Sequence, residues 1–335
     1  MSDRVTIKSI AKDLGISHMT VSRALSDHPN VLKETRDAVK QRARELGYVK
    51  NAAASAMRGE QTQIVGLLLP NIVNEFYARF ANTMALACEA QSLQLVIHLT
   101  GDNIVNEEQA LERLHQIQAQ RVVMVPTPGK SENSVLHLRS TSVIQLIRQR
   151  DMGRPTSAIL VDDSAAIRSA VTHLAAQGHS RIAYIGADSK LSSGRSRLAA
   201  FQDGLMLANL EETPELVCTG APSNEMGQSY ARRIIGDRHA TAMVCGGFEI
   251  SNGALSALMD TGRQSAENMS FIGYGDPSFY AWVGGGVSTI RVPVESLAHK
   301  AVELLTARGE TPSEPVHSFD AVLITRNTTQ VLSER

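Results

Sequence analysis

The chain has 335 residues, of which 43% are hydrophobic and 20% are charged, a composition that excludes a disordered or fibrous protein. This length predicts about two or three domains, with a core that needs no disulfide for stability. Cys88, Cys218 and Cys245 lack metal-type spacing and indicate a reducing compartment, so we expect a cytoplasmic protein without metal or cofactor. No apolar run approaches the ~20 residues of a membrane span, so no membrane partner is expected.

The net charge of −1 is unevenly distributed along the chain. Residues 1–60 carry a net charge of +4, and the rest of the chain carries −5. A small basic segment on an acidic body is typical of a nucleic-acid-binding domain attached to another module, although a merely solvated surface gives the same sign.

The first helices form a recognisable pair. Thr6 is placed to cap a helix over 6–14, Gly15 suits the left-handed residue that ends it, and Ser17 can cap a second helix from His18 to about Ser26. Two helices joined by a short glycine-containing turn predict a helix-turn-helix, whose second helix enters the DNA major groove. The alternative is an ordinary helical hairpin with a polar face.

Side chains on the second helix suit DNA. Arg23 can donate a bidentate pair to guanine, and His18 can hydrogen-bond a base. Thr20 and Ser22 suit phosphate oxygens, and Met19 is exposed beside them.

A third helix is predicted over 33–46, ended by Gly47. Asn51 can cap a short alanine-rich helix that ends at Gly59. Isolated helices below ~12–15 residues are marginal in water, so this segment is expected to fold on contact with a partner.

The run Thr6-Ile-Lys-Ser-Ile-Ala-Lys-Asp-Leu-Gly-Ile-Ser-His-Met-Thr-Val-Ser-Arg-Ala-Leu25 resembles the N-terminal signature of the LacI/GalR repressor family. Leu46-Gly-Tyr48, Asn51 and Met57-Arg-Gly59 match its third helix and hinge helix, and the resemblance covers nearly the whole chain. It implies a homodimer on a pseudo-palindromic double-stranded DNA operator, with Met57 in the position of the apolar minor-groove wedge. The implied DNA-contacting residues are Thr6, Ser17, His18, Met19, Thr20, Ser22, Arg23, Asn30, Tyr48, Lys50, Asn51, Ser55 and Met57.

Three positions depart from the family pattern. Lys50 stands where proline is common, and Leu32 replaces the usual serine cap of the third helix. His18-Met19 is a pair whose operator preference cannot be read from the sequence. These departures concern hinge order and sequence preference rather than the class of protein.

Beyond residue 60, strand and helix patterns alternate, which predicts parallel sheets covered by helices, with ligands at the carboxyl ends of the strands. Strand-like runs are 64–69, 93–99, 121–125, 143–147, 158–161, 181–185, 242–245, 270–273 and 288–292. Helix-like runs include 107–118, 165–177, 194–208, 225–235, 251–259 and 294–307. Their number predicts two lobes.

The resemblance implies an all-α helix-turn-helix headpiece and an α/β, two-lobed, periplasmic-binding-protein-like core with parallel sheets and three crossovers. Expected boundaries are 1–50 for the headpiece, 51–60 for the hinge helix, 61–160 plus 291–321 for the N-terminal effector-binding lobe, and 161–290 plus 322–335 for the C-terminal effector-binding lobe.

The resemblance also implies an effector cleft lined by Phe76, Tyr77, Arg148, Arg197, Phe248 and Asp276, with Asp162 as a helix cap. For Phe76 and Tyr77, core packing is the alternative. Gly247-Phe248, Gly275 and Arg148 replace polar or acidic residues that sugar-binding members carry. Two arginines in one pocket would favour an anionic effector, such as a sugar acid or sugar phosphate. A neutral sugar or nucleoside, with Arg148 pointing to solvent, is the alternative.

No enzyme motif or catalytic constellation is apparent in the sequence. We therefore expect an effector-responsive, sequence-specific transcription regulator, most simply a repressor of a carbohydrate or sugar-acid utilisation operon. The alternatives are a small-molecule binding module without DNA function and an α/β enzyme with an unrecognised site. The sequence leaves open the effector, the operator, and whether the assembly is a dimer or a tetramer.

Overall fold

The computed structural model describes residues 5–48, 63–129, 132–237, 239–260, 269–307 and 315–332. The chain divides into two compact units, Met1–Thr62 and Gln63–Arg335. No helix among the described residues is both long enough and apolar enough to cross a membrane.

The first unit contains α1 (Ile7–Leu14), α2 (His18–Leu25) and α3 (Lys33–Glu45). Thr6 and Ser9 form a reciprocal capping box at the start of α1, and Gly15 ends that helix at a φ of 64°. Leu32 precedes α3 and makes no side-chain cap hydrogen bond. The three helices pack around a small apolar cluster of Ile10, Ala11, Val21, Ala24, Val31, Val39 and Ala43.

The second unit contains two six-stranded sheets. The elements of the first lobe are β1 (Ile64–Leu69), α4 (Glu75–Ala90), β2 (Gln94–Leu99), α5 (Ile104–Gln116), β3 (Arg121–Met124), α6 (Glu132–His137), β4 (Ser142–Leu146) and β5 (Ser157–Asp162), completed by α11 (Val294–Thr306) and β11 (Val316–Asp320). The elements of the second lobe are α7 (Ser164–Ala176), β6 (Ile182–Ala187), α8 (Ser192–Leu207), β7 (Val217–Gly220), α9 (Asn224–Asp237), β8 (Ala242–Gly246), α10 (Phe248–Asp260), β9 (Ser270–Tyr274), β10 (Ser288–Arg291) and β12 (Val322–Ile324).

The first sheet has the order β11-β5-β4-β3-β1-β2 and is parallel throughout. The second has the order β12-β10-β9-β8-β6-β7, and only β12 is antiparallel to its neighbour. The chain passes between the lobes after β5, after β10 and between β11 and β12.

Central strands such as β6 and β8 are buried along their whole length, because helices cover both faces of each sheet. The parallel arrangement brings the carboxyl ends of the strands of each lobe to one edge. Those edges are where ligand sites form in open α/β sheets.

Candidate functional site

The exposed face of α2 is the candidate DNA-contacting surface. Val21 and Ala24 are fully buried within the headpiece, so the other side of α2 carries the accessible side chains. His18, Met19 and Arg23 are exposed on that side. The helix thus exposes a guanidinium and an imidazole, which can both hydrogen-bond to base edges.

Some of the predicted DNA-contacting residues also have local structural roles. The Ser17 hydroxyl accepts a hydrogen bond from the Thr20 backbone amide at 3.0 Å, and the two hydroxyl oxygens lie 2.9 Å apart. Thr6 Oγ1 accepts from the Ser9 amide at 3.3 Å. These hydrogen bonds cap the N-termini of α1 and α2, and Thr6 and Ser17 remain exposed.

The remaining predicted residues are more dispersed. Ser22 is half-buried on α2, Asn30 is exposed before α3, and Tyr48 is half-buried against the headpiece core. Four predicted residues lie outside the described residues: Lys50, Asn51, Ser55 and Met57.

A cleft of about 570 Å³ lies within the second unit, at the carboxyl ends of strands from both sheets. Five of the residues that the sequence analysis assigned to the effector site line it: Phe76, Tyr77, Arg148, Arg197 and Phe248. The two lobes thus supply one continuous wall of aromatic and charged side chains.

Arg148 is the charged group of the first-lobe wall. Its Nη1 and Nη2 donate to Asp102 Oδ1 and Oδ2 at 2.8 and 3.2 Å, a bidentate pair. Nη1 also lies 3.4 Å from the Pro126 carbonyl oxygen. Burial opposes the charge on Arg148, but Tyr77 and Asp102 outweigh burial and raise its pKa. Burial raises the pKa of Tyr77, which therefore stays a neutral hydroxyl.

An unusual turn places Arg148 in the cleft. The Arg148 amide donates to the Leu146 carbonyl at 2.6 Å, closing a three-residue turn around Ile147, whose φ is 53°. A positive φ is uncommon for a β-branched residue, and turns of this type are strained. Asp102 has the same φ of 53°. Backbone strain of this kind is concentrated at binding sites, where it fixes side chains in place.

Arg197 forms a second pair in the other lobe. Its Nε donates to Asp163 Oδ2 at 2.6 Å, and Nη1 donates to the Gly246 carbonyl at 3.2 Å. The guanidinium carbon lies 4.2 Å from the centre of the Tyr274 ring. The Tyr274 hydroxyl also donates to Asp163 Oδ2, at 2.5 Å. Burial opposes the charge on Arg197, but the nearby Asp163 and Tyr274 raise its pKa well above the usual value.

The cleft holds both arginines, Arg148 and Arg197, and each is paired with a carboxylate that the sequence analysis did not identify. Arg148 does not point to solvent either, since only 6% of its side chain is exposed. The charged residues on the cleft wall balance, with three cations and three anions: Arg148, Lys190, Arg197, Asp102, Asp188 and Glu249.

Asp276, predicted to contact the effector, is not among the residues that line the cleft. Its carboxylate instead accepts from Arg326 at 2.7 Å and from Arg291 at 2.7 Å. Gly275 and Asp276 both have positive φ values, and the Asp276 carboxylate is held by these two arginines.

Phe248 packs directly over Gly275. A Cβ at Gly275 would come within 2.3 Å of Phe248 Cδ2, and Gly275 has a φ of 102°, so only glycine fits there. The ring of Phe248 thus occupies the space that a side chain at position 275 would fill. Phe248 and Gly275, which both depart from the family pattern, are therefore in direct contact.

The sequence reading missed the two carboxylates that hold the arginines. Asp162 accepts from the Ser164 amide at 3.1 Å, one residue before the N-cap position of α7, which Asp163 occupies, and the Asp163 side chain turns inward to Arg197. Adjacent aspartates at a strand end point to opposite sides, which is the signal that could have identified Asp163.

Among the residues that the structure describes, three hydrogen bonds cross from one lobe to the other. Burial raises the pKa of Glu249, which takes part in one of them. The pairs are Asn71 Nδ2 to Glu249 Oε1 at 3.2 Å, the Gln149 amide to Ser192 Oγ at 3.0 Å, and the Ser278 amide to Glu75 Oε1 at 3.2 Å. No group of three or more metal-binding side chains is assembled in the part of the chain that the structure describes.

Comparison with known proteins assigns both units. The family model described as bacterial regulatory proteins, lacI family, matches residues 6–51, and the periplasmic binding protein-like domain matches residues 171–329. The regulator GalR of Salmonella typhimurium strain LT2 is 28% identical over 325 residues, covering 96% of this chain and 95% of GalR.

Solved structures agree in fold. A Lac repressor dimer bound to operator and the anti-inducer ONPF superimposes with a TM-score of 0.83 at 20% identity, covering 98% of this chain and all of that one. A complex of the transcriptional regulator CelR with cellobiose gives a TM-score of 0.69 at 23% identity, covering 97% of this chain and all of that one. The chain thus joins a lacI-family DNA-binding domain to a periplasmic binding protein-like domain and is a DNA-binding transcription regulator.

Proposed function

We propose that this chain is a dimeric repressor whose headpiece binds a pseudo-palindromic operator and whose cleft binds a small, uncharged effector. The observation that carries the proposal is the presence in one chain of an exposed α2 face and of a cleft lined by both lobes. A binding module without DNA function would need no such headpiece. Met57, outside the described residues, stays the proposed minor-groove wedge.

The charges of the cleft support an uncharged effector. Each buried arginine already has a carboxylate partner, and Glu249 adds a further acidic group near Asp102. An anionic ligand would therefore meet carboxylates as well as guanidinium groups. A ligand with hydroxyl or amide groups can instead donate to Asp102 and accept from Arg148 without changing the charge balance.

Exposed apolar side chains support a second copy of the chain as partner. Leu86, Ile97 and Leu99 are 61%, 42% and 50% exposed on α4 and the edge strand β2. In the second lobe, Met259 is 51% exposed and Trp282 is 72% exposed. Exposed apolar side chains on packed neighbouring elements, such as α4 and β2, are typical of a protein interface. The Lac repressor of the same fold was solved as a dimer on operator DNA.

Effector and operator binding are coupled in this proposal. An effector that prefers one spacing of the lobes shifts the equilibrium between lobe arrangements, and the three hydrogen bonds across the lobes change with it. Linkage then requires that the operator alter effector affinity by the same factor.

The test is selection of bound sequences from a random DNA pool with the full chain, repeated with uncharged and acidic candidate effectors. We expect a palindromic consensus whose enrichment changes with an uncharged compound. Recovery of unrelated sequences would refute the operator function. A response only to acidic compounds would refute the uncharged effector.

A further inference from the structure

A second buried ion pair lies behind the first-lobe wall of the cleft. Arg150 Nη2 donates to Glu107 Oε1, and the side chains of the two residues are 14% and 0% exposed. Neither residue is among those that line the cleft. The pair lies too deep to touch an effector, so any contribution that it makes to binding must act through other residues.

The two ion pairs of this wall join the same two segments of the chain. Arg148 and Arg150 follow β4, two residues apart. Asp102 precedes α5, and Glu107 lies in the first turn of that helix. The outer pair, formed by Arg148, lines the cleft, and the inner pair, formed by Arg150, joins the segments behind it. Because a single residue separates the two arginines, a shift of Arg150 also displaces Arg148.

The inner pair also holds the loop after β3. Glu107 Oε2 accepts from the amide and from the hydroxyl of Thr127, both at 2.8 Å. Arg150 Nη1 donates to the Thr127 carbonyl at 3.0 Å. Both backbone polar groups of Thr127 are therefore bound by one ion pair. The next residue, Pro128, lines the cleft, so the inner pair fixes a further loop of the same wall.

The segment after β4 needs an anchor because its backbone is strained. Ile147 has a φ of 53°, and strained backbone of this kind persists only where the surrounding contacts fix it. The amides of residues 147–150 all donate hydrogen bonds, in chain order to the Ile159 carbonyl, the Leu146 carbonyl, Ser192 Oγ and Gln145 Oε1. The third of these bonds crosses to the second lobe. Arg150 follows it directly and ties the segment to the first lobe.

We propose that Glu107 and Arg150 are positioning residues, which hold the Arg148 guanidinium in the arrangement that faces the effector. This inference rests on the proposed function, because it concerns a wall of the same cleft. Without the inner pair, the loops after β2, β3 and β4 keep their strands but lose the contacts that fix their relative positions. The strained turn then relaxes, and Arg148 separates from Asp102 for part of the time.

The first experiment measures the rate at which phenylglyoxal modifies individual arginines of the full chain, by peptide mass spectrometry. Glu107→Gln and Arg150→Met are introduced together, because removal of both charges leaves no ion buried without a partner. We expect the rate at Arg148 to rise about tenfold, since a side chain that is 6% exposed in the parent becomes accessible when the turn opens. The rate at Arg197, in the other lobe, should stay unchanged.

The two arginines of the cleft separate positioning from stability. An unchanged rate at Arg148 would show that the inner pair does not position it, and equal increases at Arg148 and Arg197 would show that the pair only stabilises the fold. Either result would overturn the proposal. Arg79→Met with Glu295→Gln is the matched control, because it removes an ion pair of the same lobe whose side chains are 37% and 52% exposed. It should leave the rate at Arg148 unchanged, and a rise equal to that of the first double variant would also overturn the proposal.

The second experiment follows hydrogen exchange of residues 147–150 by mass spectrometry. In the parent chain, these amides should exchange at least about tenfold more slowly than in a free peptide of the same sequence, because each has an acceptor. The Glu107→Gln, Arg150→Met variant should lose this protection and keep that of β3. Free exchange in the parent, a result that needs no variant to fold, or retained protection in the variant would overturn the proposal. Neither experiment uses DNA or an effector, so a chain that binds no operator would contradict the proposed function without changing these rates.

Discussion

Replacement of Asp163 by alanine should destabilise the second unit strongly. Asp163 is 3% exposed and accepts from Arg197 Nε at 2.6 Å and from the Tyr274 hydroxyl at 2.5 Å. In Asp163→Ala, the guanidinium of Arg197 remains buried with the Gly246 carbonyl as a hydrogen-bond partner but no opposite charge. The expected effect is therefore larger than the loss of two ordinary hydrogen bonds.

The magnitude follows from the burial of the pair. Breaking a buried ion pair by removing one partner typically costs about 3–5 kcal/mol, because the other charge is left uncompensated. The Tyr274 hydroxyl also loses its acceptor, a further cost of about 1–3 kcal/mol where no water replaces it. We expect a loss of about 3–5 kcal/mol, since relaxation around Arg197 recovers part of the sum.

Urea unfolding of the full chain, followed by circular dichroism and by the fluorescence of the single tryptophan, measures this loss. Asp260→Ala is the matched control. Arg232 and Asp260 form a pair at 3.0 Å whose side chains are 55% and 56% exposed, and exposed pairs contribute at most about 1 kcal/mol. A loss below about 1 kcal/mol for Asp163→Ala, equal to that of the control, would refute the buried pair.

Three further outcomes are expected. Arg23→Ala should weaken operator binding by about 1–3 kcal/mol in a mobility-shift titration, and an equal loss on scrambled DNA would show that Arg23 contacts only phosphate. Burial opposes ionisation of Asp276, but Arg326 and a second arginine outweigh it and lower its pKa, so its stabilising contribution is present above about pH 4 and is lost as the pH falls. Asp276→Asn should therefore make acid unfolding less steep, and an unchanged pH profile would contradict this ion pair. Gly275→Ala should displace the Phe248 ring and lower the melting temperature, because alanine combines an unfavourable φ with a 2.3 Å contact; an unchanged melting temperature would argue against that packing.

The sequence predicted the central strands well because they are buried on both faces and read as apolar runs. β1 was predicted with its observed bounds, Ile64–Leu69. The strands β7, β11 and β12 were missed, and each lies at the edge of its sheet. β11 alternates between exposed and half-buried residues, so it offers no apolar run to detect.

The sequence allowed single residues of the cleft to be named but not the ion pairs that they form. Arg148 and Arg197 were named from the sequence and both line the cleft, whereas their charge partners were not identified. Asp102 follows β2 and Arg148 follows β4, strands that are separated in the sheet by two others. Only the sheet order, which the sequence does not state, brings the carboxylate to the guanidinium.

The arrangement of the final crossover has a consequence for synthesis of the chain. β11 and β12 are neighbours in sequence, yet each closes an edge of a different sheet. During translation, neither lobe can acquire its full set of strands until residues 316–324 leave the ribosome, by which point nearly all of the core has been made. The two lobes therefore complete their sheets at the same late point of synthesis. Until then, β5 and β10 are edge strands with unpaired backbone groups.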